Sequence, residues 1–195
     1  MQTPAVVDHV RRYLERLAAM LAALEAEAVA RAIGVLEAAH AGHRTIFICG
    51  NGGSAATASH MAADLGKNTV APGRRRLRVM SLNDNMAWFS ALANDSGYAA
   101  VFVEQMENLV EAGDVLVAIS ASGDSENVVR AAEFARSHGA RVVALVGFDG
   151  GRLAGLADVC VHLRAHEYGL VEDGHLVVNH IFTEALRRSV AEQVS

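Results

Sequence analysis

His60 and Asp64 stand four residues apart in an alanine-rich segment of helical character, so one helical face carries an imidazole beside a carboxylate. Such a pair can move a proton, or supply half of the ligands for a borderline divalent ion such as zinc. On the last apolar segment Glu172 and His180 are eight residues apart, about two turns, on overlapping faces. Two imidazoles and two carboxylates complete a zinc-type set if those two helices meet. Spacing alone favours a structural or surface role for each histidine over a ligand role, as it does for His9, His43, His162, His166 and His175.

Just before His60 the chain reads Gly50-Asn51-Gly52-Gly53-Ser54, between a β-branched and aromatic run that begins at Thr45 and the alanine-rich segment. This pattern is strand, tight turn, helix. The glycines let the backbone approach a ligand, and the first amides of the helix face the same space with the positive end of its dipole. A second polar loop, Ser120-Ala121-Ser122-Gly123-Asp124-Ser125, follows the apolar run Val115 to Ile119. Its hydroxyls beside backbone amides suit a phosphate monoester, whereas helix capping by Ser122 or Asp124 needs only one of those side chains. Asp124 repels a dianion, so it is expected to point away. The first loop also fits a dinucleotide fingerprint, but no acidic residue lies between Gly66 and Arg76 to hold a ribose, and no P-loop sequence occurs.

The elements that must position these loops alternate. From Pro4 to about His43 the pattern is helical, with one apolar stripe at Val6, Val10, Leu14, Leu17, Leu21 and Leu24 and another at Val29, Ile33, Leu36 and Ala39. It fits two helices or one bent helix, with Gly34 a possible weak point. Strands are expected from Thr45, over Val79 to Leu82, Val115 to Ile119, Arg141 to Gly147 and Val159 to Leu163. Helices are expected after the glycine loop, from Met86 behind an Asn83-Asp84-Asn85 cap, from Tyr98 to Leu109, Glu126 to His138, Leu153 to Ala157 and Val171 to Val194. Trp88, Phe89 and Leu92 are expected to serve the core. The expected fold is therefore α/β: a doubly wound, mostly parallel five-stranded sheet with flanking helices and added N-terminal helices. Its ligand belongs beyond the carboxyl ends of the strands, where both polar loops fall. No linker or repeat divides the chain, so residues 1–195 are taken as one domain. Residues 1–43 either cover the sheet or form an oligomer interface.

The chain has 195 residues, 52% of them hydrophobic, and a formal net charge of −5. So apolar a composition predicts surface covered by other subunits. The net charge gives no general pull towards nucleic acid, and Arg74, Arg75, Arg76 and Arg78 lack aromatic interleaving, so they are taken as a solvated face. Neither a signal peptide nor a membrane span is read, since Arg16, Glu25 and Glu27 interrupt the apolar N-terminal stretch. Cys49 and Cys160 lie in apolar strand-like runs, as buried thiols of a reducing compartment do, and a cytoplasmic protein is expected.

The glycine loop Gly50 to Ala55, the serine loop Ser120 to Ser125 and the Glu172 to His180 spacing together resemble the sugar isomerase (SIS) domain family, and within it the phosphoheptose isomerases, over nearly the whole chain. The resemblance implies a homotetramer with sites at subunit interfaces. It implies a phosphosugar held by its phosphate at Ser120, Ala121, Ser122 and Ser125, with Asn51, Gly52, Gly53, Ser54, Asn94 and Asp95 on the sugar. It also implies zinc bound by His60, Asp64, Glu172 and His180. Two departures stand out: Asp64 is one methylene shorter than the family's glutamate, and Glu172 replaces a neutral glutamine. The loop Arg164 to Gly169 also differs from the family's Asp-Arg loop.

The implied reaction is a 1,2 proton shift through an enediolate, with Asp64 as base, His180 as partner acid and base, and zinc polarising the oxygens. The expected substrate is sedoheptulose 7-phosphate and the product D-glycero-D-manno-heptose 7-phosphate. Alternatives are an aldose-ketose isomerase for another phosphosugar, or a non-catalytic SIS regulator that binds a phosphosugar and a protein partner. His60, Asp64 and His180 together favour catalysis.

Overall fold

The computed structural model describes residues 4–192. Two helices, α1 (Pro4–Ala22) and α2 (Ala26–Ala41), precede the sheet. The break falls at residues 23–25, where Glu25 adopts extended backbone, and not at Gly34, which lies inside α2. Leu17, Leu21 and Leu24 pack with Met20 against Leu163 and Leu170. The other end of the same stripe stays open: Val6, Val10 and Leu14 are 51%, 50% and 57% exposed.

The chain then alternates β1 (Thr45–Gly50), α3 (Gly53–Lys67), β2 (Arg78–Ser81) and α4 (Met86–Asp95). Asn85 caps α4 by accepting a hydrogen bond from the Trp88 amide at 3.1 Å. Phe89 and Leu92 pack against the core as expected, whereas Trp88 is half-buried outside that cluster and lines a cleft with Ser59 and Met80. The helix expected from Tyr98 to Leu109 is instead a 3-10 turn, Tyr98–Ala100, and a short α5 (Val103–Glu107). Val101, Phe102 and Met106 are all fully buried; neighbouring helical positions point about 100° apart, so a bend at 101–102 lets both Val101 and Phe102 enter the core. β3 (Val115–Ser120), α6 (Glu126–Ser137), β4 (Arg141–Val146), α7 (Gly151–Leu156), β5 (Val159–His162) and α8 (Tyr168–Glu192) complete the described chain. The expected end of α8 at Val194, like residues 1–3 of the expected domain, lies outside the described residues.

The sheet has order β2-β1-β3-β4-β5, with every pairing parallel. Its inner strands β1, β3 and β4 are buried on both faces, which is why they read as continuous apolar runs, whereas the edge strand β2 leaves Met80 exposed. Ile46, Ile48, Val117 and Ile119 face α2, α3 and α8, while Phe47, Cys49, Leu116 and Ala118 face α5, α6 and α7. Each fully buried large side chain contributes roughly 1.5–3 kcal/mol. From β1 the chain runs outward to β2, then returns to β3 on the other side of β1. The switch point therefore lies between the carboxyl ends of β1 and β3, where a doubly wound sheet opens a crevice. Gly50 pairs with Ile119, so the glycine and serine loops leave the sheet side by side.

Cys49 is buried and Cys160 half-buried; both are free, and burial raises the pKa of each thiol. No described helix is long and apolar enough to cross a membrane.

Candidate active site

Two helix N-termini converge at the switch point, α3 behind the glycine loop and α6 behind the serine loop. Gly52 makes the first turn possible with φ 55° and ψ −122°. Ser120 Oγ accepts from the Gly123 amide at 3.1 Å and donates to Ser125 Oγ at 3.3 Å. Gly123 has φ +72°, and a Cβ there would stand 2.0 Å from the Gly150 carbonyl oxygen. Asp124 points away from the cleft as expected, since its Oδ1 accepts from the Arg152 amide at 2.9 Å. Between the loops lies a cleft of about 120 Å³ lined by Asn51, Ser54, Ser120, Ser122, Ser125 and Glu172, with Ala121 on the same wall. It has hydroxyls and helix amides, the donors that a phosphate takes. A neighbouring cleft of about 340 Å³ shares Asn51 and adds Gly52, Asn83 and Tyr98.

α3 and α8 run side by side in the same direction. At the start of α3, Gly53 is pressed against Glu172: a Cβ on Gly53 would lie 2.4 Å from both carboxylate oxygens. Further along, His60, Asp64 and His180 bring ligand atoms within 4.8 Å of one another. Asp64 Oδ2 lies 3.2 Å from His60 Nε2 and 3.7 Å from His180 Nε2. The two rings meet edge to face with centroids 5.4 Å apart. Asn179 donates to Asp64 Oδ2 at 3.0 Å and Asn68 donates to Oδ1 at 2.9 Å. Two imidazoles and a carboxylate steadied by an outer amide fit a zinc ion by donor type. Glu172 lies outside this group, at the cleft between the two loops.

A family model described as the SIS domain matches residues 9–147. The chain belongs to the SIS domain family. A phosphoheptose isomerase of Mycobacterium bovis is 40% identical over 163 residues, covering 83% of this chain and 82% of the relative, which places this SIS protein among the phosphoheptose isomerases. The structure of the phosphoheptose isomerase of Neisseria gonorrhoeae superposes with a TM-score of 0.85 at 30% identity, over 93% of this chain and 96% of that one. A lincomycin biosynthesis protein of Streptomyces lincolnensis is 48% identical over 151 residues, 72% of this chain; the match spans about half of that relative, 54% of its length.

Of the residues singled out in this SIS sequence, the tertiary fold unites Asn51, Gly52, Gly53 and Ser54 with the serine loop and Glu172, and separately unites His60, Asp64 and His180. Asn94 and Asp95 line neither cleft; they are exposed at the end of α4, where Asn94 Nδ2 donates to Asp95 Oδ1 at 2.7 Å. Sequence reasoning missed the amides and phenol that hold the site. Asn83 clamps Gly50 through both of its backbone groups, at 3.2 and 2.9 Å. Asn68 and Asn179 hold Asp64, while Asn127 and Tyr98 hold Asn51. Asn68 had a visible signal, because it lies four residues after Asp64 on the same helical face. The others are distant in sequence from what they bind.

Proposed function

We propose that this protein is an aldose-ketose isomerase converting sedoheptulose 7-phosphate to D-glycero-D-manno-heptose 7-phosphate. The observation that carries this reading is that α3 runs from the cleft between the two loops, which Ser54 lines, to His60 and Asp64, which meet His180. From Gly53 to His60 the axis of α3 rises about 10 Å, at 1.5 Å per residue. An extended chain gains about 1.2 Å per bond, so a seven-carbon phosphate, with eight bonds from C1 to phosphorus, spans about 10 Å.

In this reading the serine loop and the amides of α6 bind the phosphate, and Asn51 to Ser54 bind the sugar. Asp64 removes a proton from C1, the electron pair forms the C1–C2 double bond, and the C2 oxygen gains charge as the enediolate. His180 moves the proton between the two oxygens, and proton return at C2 completes the aldose. His60, Asp64 and His180 would hold a zinc ion, which would supply Lewis-acid polarisation of the developing oxyanion. A single carboxylate oxygen cannot serve as ligand and base together. A division of roles between its two oxygens would leave Oδ2, which faces the imidazoles, to the metal and Oδ1, which accepts from Asn68, to the proton.

The protein is assigned as a homotetramer, supported by the open apolar stripe of α1, with Asn94 and Asp95 reaching a neighbouring subunit's site. Its reduced thiols suit the cytoplasm. A second reading, the same chemistry on a different phosphosugar, is favoured by the similarity to a lincomycin biosynthesis protein and by the acidic Glu172.

The test is turnover of metal-analysed protein with sedoheptulose 7-phosphate, followed by NMR with and without zinc. Zinc-dependent appearance of the aldose is expected. Bound zinc without conversion shifts the assignment to another phosphosugar, and absence of both metal and conversion shifts it to a regulator.

A further inference from the structure

Asn51 and Asn127 face each other across the switch point as a reciprocal amide pair. Asn51 Nδ2 donates to Asn127 Oδ1 at 2.8 Å, and Asn127 Nδ2 donates back to Asn51 Oδ1 at 2.9 Å. Tyr98 Oη donates to the same Asn51 oxygen at 2.8 Å. Asn127 is 2% exposed and sits in the first turn of α6, directly behind the serine loop. Asn51 sits in the glycine loop, whose preceding residue Gly50 is clamped by Asn83. The pair is thus the side-chain bridge between the loop that holds the phosphate and the loop that holds the sugar. It also fixes what Asn51 can offer. A carboxamide has two acceptor lone pairs and two N–H groups; Tyr98 and Asn127 take both lone pairs and one N–H. What remains for a ligand is one donor, matched to a sugar oxygen that accepts.

We infer that Asn127 is a positioning residue for the isomerisation: through Asn51 it sets the spacing between phosphate anchor and sugar, and turns Asn51 into a pure donor. The kinetic part of this inference rests on the isomerase reading; the coupling of the two loops does not. Removing the bridge leaves the serine loop's own hydroxyls intact, so phosphate binding should survive while reactive geometry is lost. A displacement of about 1 Å at a reacting centre can cost about 100-fold in rate.

The test compares Asn127→Ala with Glu126→Ala, which loosens the same turn of α6 by breaking the Arg152 and Arg130 pairs without touching Asn51. Three quantities are read: affinity for inorganic phosphate, hydrogen exchange of the amides at 51–54, and kcat and KM with sedoheptulose 7-phosphate. For Asn127→Ala the expected result is phosphate affinity within about threefold of the parent, faster exchange in the glycine loop, and kcat lower by about 10- to 100-fold with a smaller change in KM. Glu126→Ala should leave exchange at 51–54 unchanged. Parental exchange and turnover in Asn127→Ala, or phosphate affinity falling in step with kcat, overturns the inference. Tyr98→Phe, which removes a single O–H, gives the same pattern at smaller size and serves if Asn127→Ala does not fold; parental kcat and exchange in that variant count against the inference. If the parent does not turn over this substrate, the isomerase reading fails while phosphate binding and exchange still decide the coupling.

Discussion

Asp64 shows how much a carboxylate's neighbours decide. Its side chain is 14% exposed, with an amide on each oxygen and two imidazoles beside Oδ2. Asp64→Asn keeps the shape and removes the charge, so kcat is expected to fall by at least about 100-fold, with zinc affinity falling in parallel when titrated against a competing chelator. Glu172 acts in the opposite sense. Its carboxylate shares a small cleft with the serine hydroxyls, where it opposes an incoming phosphate. Glu172→Gln is expected to tighten inorganic phosphate binding by about tenfold at low salt without metal, an electrostatic effect of about 1–1.5 kcal/mol. Calorimetry at two ionic strengths checks this, because the gain must shrink as salt rises.

At the scale of elements, the two glycine contacts differ in what yields. A Cβ at Gly123 meets the backbone of Gly150 from a left-handed conformation, so Gly123→Ala is expected to cost about 2–4 kcal/mol in urea denaturation. The nearest atoms to a Cβ at Gly53 belong to the flexible end of Glu172, so Gly53→Ala should cost less than about 1 kcal/mol while displacing that carboxylate. α8 carries a pH-dependent weakness in His175, which is fully buried, with neither ring nitrogen in a hydrogen bond of good geometry. Burial pushes its pKa down to about 4, partly offset by the nearby Val146 backbone. Below the unfolded pKa of about 6.5 the unfolded chain takes up a proton that the folded chain refuses. Stability is therefore complete above about pH 6.5 and declines as pH falls towards 4, by roughly 3 kcal/mol in total. His175→Leu should flatten that acid limb, seen by comparing denaturation at about pH 7.5 and pH 5.

For the whole molecule, the exposed stripe of α1 is the feature a single chain leaves unexplained. Val6, Val10 and Leu14 recur every helical turn and are each at least half exposed, while Leu17 and Leu21 beyond them are packed. Val10→Glu with Leu14→Glu is expected to lower the solution mass of the proposed tetramer towards smaller species in light scattering. The melting of the sheet domain should change little, because these side chains lie outside its core. An unchanged mass assigns the interface to another surface.

By itself the amino-acid sequence determined the α/β class, all five strands to within a residue or two, and the glycine and serine loops that line the cleft. Continuous apolar runs, glycine turns and serine clusters are local signals, and local backbone physics reads them directly. Only the tertiary structure decided which end of the α1 stripe is covered, that the segment 98–109 bends, and that Glu172 lines the cleft between the two loops, outside the group of His60, Asp64 and His180. It alone paired Asn51 with Asn127, 76 residues away. The physical reason is the same in each case. These outcomes depend on contacts between elements far apart in the chain, where packing and hydrogen-bond satisfaction, rather than periodicity, select the partner.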